Sequence, residues 1–206
     1  LARAYRASDR DTDALNAALQ ARHEHPESIE PLRLLVELAL DEGDFELAAE
    51  HLQRALDLAP DDVEIWISLG DCERQMGRYE NATAALHRAL EIAPDRTAAR
   101  RLLAITLAEA NNVAEAAAEF ARCCADQPQD PDNWLESGRF EHNRGDVAMA
   151  LIHLNHAATL REDDPEILAA RSLSLATSGK YAEALEGAME ALRVVPDDDL
   201  AFAVAY

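Results

Sequence analysis

Residues 63–96 read VEIWISLGDCERQMGRYENATAALHRALEIAPDR. Ile65, Trp66, Leu69 and Cys72 recur at helical spacing, which predicts an amphipathic helix from Val63 to Met76. Gly77 then supplies the left-handed backbone that a tight turn after a helix needs. A second helix is expected from Glu80 to Ile92, with Ala82, Ala85, Leu86, Ala89 and Leu90 on one face. It stops before Pro94, whose ring keeps the preceding residue out of helical geometry. Alanines on the shared face let the two helices approach closely, so the stretch reads as an antiparallel helix pair.

The pattern recurs along the whole chain. Pro26, Pro60, Pro94, Pro128 and Pro196 are separated by 34, 34, 34 and 68 residues, and the missing beat falls on Glu162. Ala14, Ala48, Ala82, Ala116, Ala150 and Ala184 keep the same register, as do Ala21, Ala55, Ala89, Cys123, Ala157 and Ala191. Gly43, Gly77, Gly145 and Gly179 form a third column, with Asn111 standing in the third unit. Trp66 and Trp134 sit two periods apart. A fixed period of this length is the mark of a repeat architecture in which each unit buries its face on the next. Five full units are expected at 29–62, 63–96, 97–130, 131–164 and 165–198, with partial units at 1–28 and 199–206, forming a single array. The acidic pairs Asp61-Asp62, Asp163-Asp164 and Asp197-Asp198 lie where the next helix begins and are expected to supply cap acceptors.

Composition agrees with an all-helical chain. Of 206 residues, 42 are Ala and 28 are Leu, while Val, Ile and Thr total 20, too few β-branched residues for an ordinary sheet. The formal charge is −21, which argues against nucleic acid and anionic membrane as partners. No apolar run is long enough to span a bilayer. Cys72, Cys123 and Cys124 make no CxxC pattern and are a poor disulfide framework. A reducing, cytoplasmic compartment is the expectation, with any targeting segment placed upstream of Leu1.

The unit resembles the tetratricopeptide repeat. Trp66, Leu69, Gly70, Gly77, Tyr79, Ala82, Ala89 and Pro94 match that family's pattern. Departures are local: Arg100 stands at the Trp66 column, Arg171 at the Leu69 column and Val36 at the Gly70 column. The resemblance implies an all-α, right-handed superhelical solenoid of stacked antiparallel helix pairs, whose first helices line a concave groove that takes the ligand. By register the groove carries Arg33, Glu37, Ile67, Asp71, Arg74, Arg101, Ile105, Leu135, Arg139 and His142, with Arg3, Arg6 and Leu173 among the other positions. Of its 28 positions eight are acidic and six are Arg, so the face is half charged yet nearly balanced. An extended or helical segment of mixed charge with a few apolar anchors fits such a surface. The clamp that some family members use on acidic chaperone tails is not matched, because Glu37, Asp71, Asp132 and Glu136 put carboxylates among the required positions.

No catalytic constellation is present. The serines lack a G-x-S-x-G context, and there is neither a Gly-rich phosphate loop nor HExxH. His153 and His156 could share a metal by spacing, yet two surface histidines without a third ligand are the plainer reading. Cys123 and Cys124 occupy small-residue and leucine columns and read as buried hydrophobes. The expectation is a noncatalytic protein-protein interaction scaffold with no cofactor and no metal. Two alternatives stand beside it: the scaffold part of a larger glycosyl- or sulfotransferase-like enzyme, or a self-assembling or export-machine scaffold. Leu200, Phe202 and Val204 do not make a polar cap, so self-association through open ends and membership of a longer array are further expectations.

Overall fold

The computed structural model describes residues 11–195, and among them every regular element is helical. In chain order the helices are α1 (Asp11–Glu24), α2 (Glu30–Asp41), α3 (Phe45–Leu58), α4 (Val63–Gln75), α5 (Tyr79–Ile92), α6 (Thr97–Glu109), α7 (Val113–Asp126), α8 (Pro131–Asn143), α9 (Val147–Leu160), α10 (Pro165–Thr177) and α11 (Tyr181–Val194). Contacts divide the chain into two compact units, 1–110 and 111–206. The division falls inside the repeat 97–130, between its two helices. In the first unit α2 packs on α3 and α4 on α5, with α1 against α2, α3 against α4 and α5 against α6. In the second, α8 packs on α9 and α10 on α11, with α7 against α8 and α9 against α10. The expected features of residues 1–10 and 196–206, including Arg3, Arg6, Pro196, Asp197, Asp198 and the Leu200 to Val204 end, lie outside the described residues.

The turns within pairs follow from one backbone requirement. Gly77 has φ +71°, and behind it the N–H of Arg78 reaches Glu73 O at 2.8 Å. Asn111 adopts φ +62° at the same place in its repeat, the left-handed conformation that asparagine tolerates better than most side chains. The junction acids divide their work. Asp62 Oδ1 accepts from the N–H groups of Glu64 (3.1 Å) and Ile65 (3.3 Å), and Asp164 Oδ1 from Glu166 (3.0 Å) and Ile167 (3.1 Å). Burial alone pushes the Asp164 carboxyl up, but these two N–H groups and the Arg161 guanidinium together hold it below the usual range. Asp61 caps nothing; it stands 3.5 Å from Arg88. Asp44 and Asp146, directly after Gly43 and Gly145, cap the second helices by accepting from Leu47 N at 2.9 Å and Met149 N at 3.1 Å.

Small residues set how closely the helices cross. Ala48, Ala82, Ala116 and Ala150 are all 0% exposed. A Cβ on Gly70 would stand 2.7 Å from Leu86 Cγ, and one on Gly138 2.6 Å from Leu154 Cγ. Both leucines are completely buried, so these glycines mark contacts of backbone on side chain that leave no room for a methyl group. In the pair α10/α11, Ser172 takes the glycine's column and Ala188 the leucine's, and Gly187 faces the Ser172 hydroxyl.

The tryptophan column has a polar purpose. Trp66 Nε1 donates to Pro60 O at 2.8 Å and Trp134 Nε1 to Pro128 O at 2.9 Å, tying each first helix to the turn before it. Arg100, the departure in this column, donates from Nη2 to Pro94 O at 2.7 Å. The substitution therefore preserves the tie.

One buried histidine makes stability depend on pH. His51 is 5% exposed, and burial, reinforced by Arg22, lowers its pKa. A group whose protonated form is disfavoured in the folded state binds fewer protons there than in the unfolded chain, so stability falls as pH drops below the ordinary histidine value of about 6.5. The midpoint of thermal unfolding is expected to fall between pH 8 and pH 5 more steeply in the wild type than in His51→Leu. Parallel curves for the two would remove His51 as the cause.

Candidate functional site

The first helices turn one face away from their second-helix partners, and the described groove positions lie along these helices, Leu135 buried beneath that face. In the first unit this face comes from α2, α4 and α6. Arg74 is 16% exposed, with Nη2 at 2.7 Å from Asp71 and Nη1 at 2.8 Å from Glu109 on the next first helix. Burial alone would lower its pKa, but the two carboxylates outweigh that and hold it above the ordinary arginine value. Arg33 reaches Asp62, the cap of α4, at 2.7 Å, and Arg96 reaches Glu64 at 2.6 Å. Charge on this face is thus organised as links between successive repeats. Ile67, Ile105 and Arg101 are half-buried between these links, and Glu37 is exposed.

In the second unit the face comes from α8 and α10. Arg139 meets Glu136 at 2.8 Å and Glu166, one repeat on, at 3.3 Å. His142 Nδ1 lies 3.0 Å from Ser174 Oγ, whose proton is donated to Ala170 O at 3.1 Å. Beside it is a pocket of about 190 Å³, with Leu154 and Ala170 as floor and Arg139, His142, Asn143 and Leu173 around it. Leu135 departs from expectation. It is 4% exposed and packs with Leu154, Ala157, Ile167 and Ala170, so it belongs to the core beneath the face and offers nothing to a ligand.

Sequence reasoning missed the pairing of the arginines, whose signal is an opposite charge roughly one period downstream: Arg33 with Asp62, Arg74 with Glu109, Arg139 with Glu166. Of the two histidines read as surface residues, His156 is exposed and His153 is not. His153 is half-buried, with Nδ1 at 2.9 Å from Ser137 Oγ, and both it and His156 meet the edge or face of Trp134, with ring centroids at 5.5 and 4.4 Å. Cys72, Cys123 and Cys124 are buried, and burial pushes the Cys72 and Cys124 thiols up to about 11. At neutral pH these two are thiols rather than thiolate nucleophiles. Among the described residues no His, Cys, Asp and Glu group has the arrangement of a metal site, and no helix is long and apolar enough to cross a membrane.

Comparison with known proteins bears on the same elements. The tetratricopeptide repeat family model matches residues 39–106 and again 73–137. The chain is a tetratricopeptide repeat protein. Solved structures with the same fold include PilW, a widely conserved type IV pilus biogenesis factor, at 20% identity and TM-score 0.83 over 100% of this chain and 95% of that one. A tetratricopeptide repeat protein from Parabacteroides merdae matches at 18% identity and TM-score 0.82 over 100% and 80% of the two chains. YrrB, described as having an unusual peptide-binding site, matches at 19% identity and TM-score 0.59 over 91% and 96%. No curated protein sequence matches. Tetratricopeptide arrays are in general noncatalytic scaffolds for protein-protein contact, and this tetratricopeptide protein has the all-α solenoid fold that such scaffolds use.

Proposed function

We propose that the chain binds a peptide or protein segment on the face formed by its first helices, and that apolar anchors rather than free charges hold the ligand. The observation that carries this reading is the fate of the arginines. Arg74 and Arg139 each already meet two carboxylates, so displacing them to hold a ligand's acid would break existing pairs. What the face offers instead is Ile67 and Ile105 in the first unit and, in the second, the 190 Å³ pocket beside Leu173, wide enough for one side chain. The carboxylates disfavour strongly acidic ligands and speed the approach of segments carrying some positive charge.

The test is selection of binders from a random peptide display library, followed by affinity measurement on variants. Ile105→Glu and Leu173→Glu are expected to weaken the selected peptides at least tenfold, while Ile152→Glu, an exposed position on the second helix α9, leaves them unchanged. Peptides that bind all three variants as they bind the wild type would remove the first-helix face as the binding surface.

A further inference from the structure

Glu73 and Glu141 hold the same place in repeats two periods apart, but their surroundings differ. Asn81 Nδ2 donates to Glu73 Oε2 at 3.3 Å, and Arg78 Nη1 stands 3.8 Å from the same oxygen. Two periods on, Asn81 becomes Met149 and Arg78 becomes Asp146. Glu141, 12% exposed, is left with Arg144, whose Nη1 is 3.3 Å from Oε2. That oxygen is shielded from solvent and receives no hydrogen bond from the protein. Because Oε2 is closed to solvent and has Arg144 beside it, a donor from outside reaches this carboxylate only at its other oxygen or after the side chain turns, where it adds the hydrogen bond that the protein does not supply.

The same carboxylate borders a cleft of about 510 Å³. One wall is the face of α7 at Ala117, Ala121 and Ala125. The corresponding positions hold Thr83, His87 and Glu91 on α5, and Leu151, Asn155 and Thr159 on α9, so the room comes from three side chains truncated together. Met149 and Trp134 close the other sides. The cleft lies on the face of α8 marked by Trp134, Ser137 and Glu141, away from Arg139, His142 and Asn143 of the first-helix face.

We propose that this cleft is a second docking site, which takes a lysine or arginine side chain of a partner protein. The aliphatic stem lies against the alanine wall, Met149 and Trp134, and the cationic head donates to Glu141. Long basic side chains suit a site with apolar walls and one acceptor at the end, and the chain's charge of −21 favours a cation over an anion of the same shape. The walls are largely apolar, with Ser137 and His153 the polar side chains beside Glu141, and the volume lies in the range of ordinary ligand clefts, with space for an apolar neighbour of the basic residue.

The experiment titrates the full chain with n-hexylammonium, and separately with hexanoate, following the two tryptophan indole N–H resonances by NMR. Trp66 makes the same bond to its proline carbonyl as Trp134 does and serves as the internal reference. A saturable shift of Trp134 with hexylammonium, a still Trp66 and no response to hexanoate is expected. Glu141→Gln should weaken hexylammonium at least fivefold, and Ala121→Leu, a change at an exposed position, should abolish the shift with the Trp66 resonance intact. An equal response to hexanoate, equal shifts of both indoles, or wild-type titrations in both variants would overturn the proposal. Because the first-helix face is tested with other variants, either site can fail without the other.

Discussion

Gly70→Val is expected to destabilise the first unit by about 2–3 kcal/mol, the usual penalty for forcing methyl groups into a filled interior. The reason is local and specific: the ideal Cβ position is 2.7 Å from Leu86 Cγ and 3.4 Å from the backbone oxygen of Ala82, and Leu86 is 0% exposed, with nowhere to move. Leu86→Ala alone should cost about 2–5 kcal/mol through the cavity it leaves. The double variant should then lose less than the sum of the two by at least about 1 kcal/mol, since each change fits the space the other makes. Urea unfolding of the four proteins measures the coupling. Simple additivity, or a Gly70→Val protein as stable as the wild type, would show that the helices are not as close as described. The chain already contains one compensated change at this pair of columns, with Ser172 in place of the glycine and Ala188 in place of the leucine.

The tryptophan column supports the second large effect. Trp66→Ala should destabilise by about 3 kcal/mol, because it removes both the packing of the indole on the core around Ile65 and Leu69 and the bond to Pro60 O. Trp66→Arg should recover at least about 1 kcal/mol of that, the worth of a hydrogen bond from a charged donor, since Arg100 makes the equivalent bond at 2.7 Å. Chemical denaturation of the two variants compares them directly. An arginine variant no more stable than the alanine variant would mean that the bond to the proline carbonyl contributes nothing.

Much of this fold is legible in the sequence because its determinants are residues with singular backbone or steric properties placed at a fixed period. Gly77 and Asn111 sit where φ must be positive, Asp62 and Asp164 sit where N–H groups need an acceptor, and the alanine columns sit where helices nearly touch. Such properties belong to the residue itself and can be read one position at a time. The candidate site is less legible because exposure and charge there depend on side chains a whole repeat away. Ile67 and Leu135 share a column, yet Leu135 is covered by Ile167 and Ala170. Arg74 and Arg139 count as two cations in a composition, but each carries a carboxylate from its own helix and another from the next first helix. Likewise, the lone acceptor on Glu141 is visible only when Asn81 and Met149 are set at the same place in their repeats.

The most direct test of the central claim is a hydrogen-exchange footprint of a bound peptide selected as above. Added protection concentrated in residues 63–75 and 97–109, or in 131–143 and 165–177, is the predicted result, because these are the first helices of the two units. Protection confined to the second helices, 45–58, 79–92 or 147–160, with the first helices unchanged, would contradict the account.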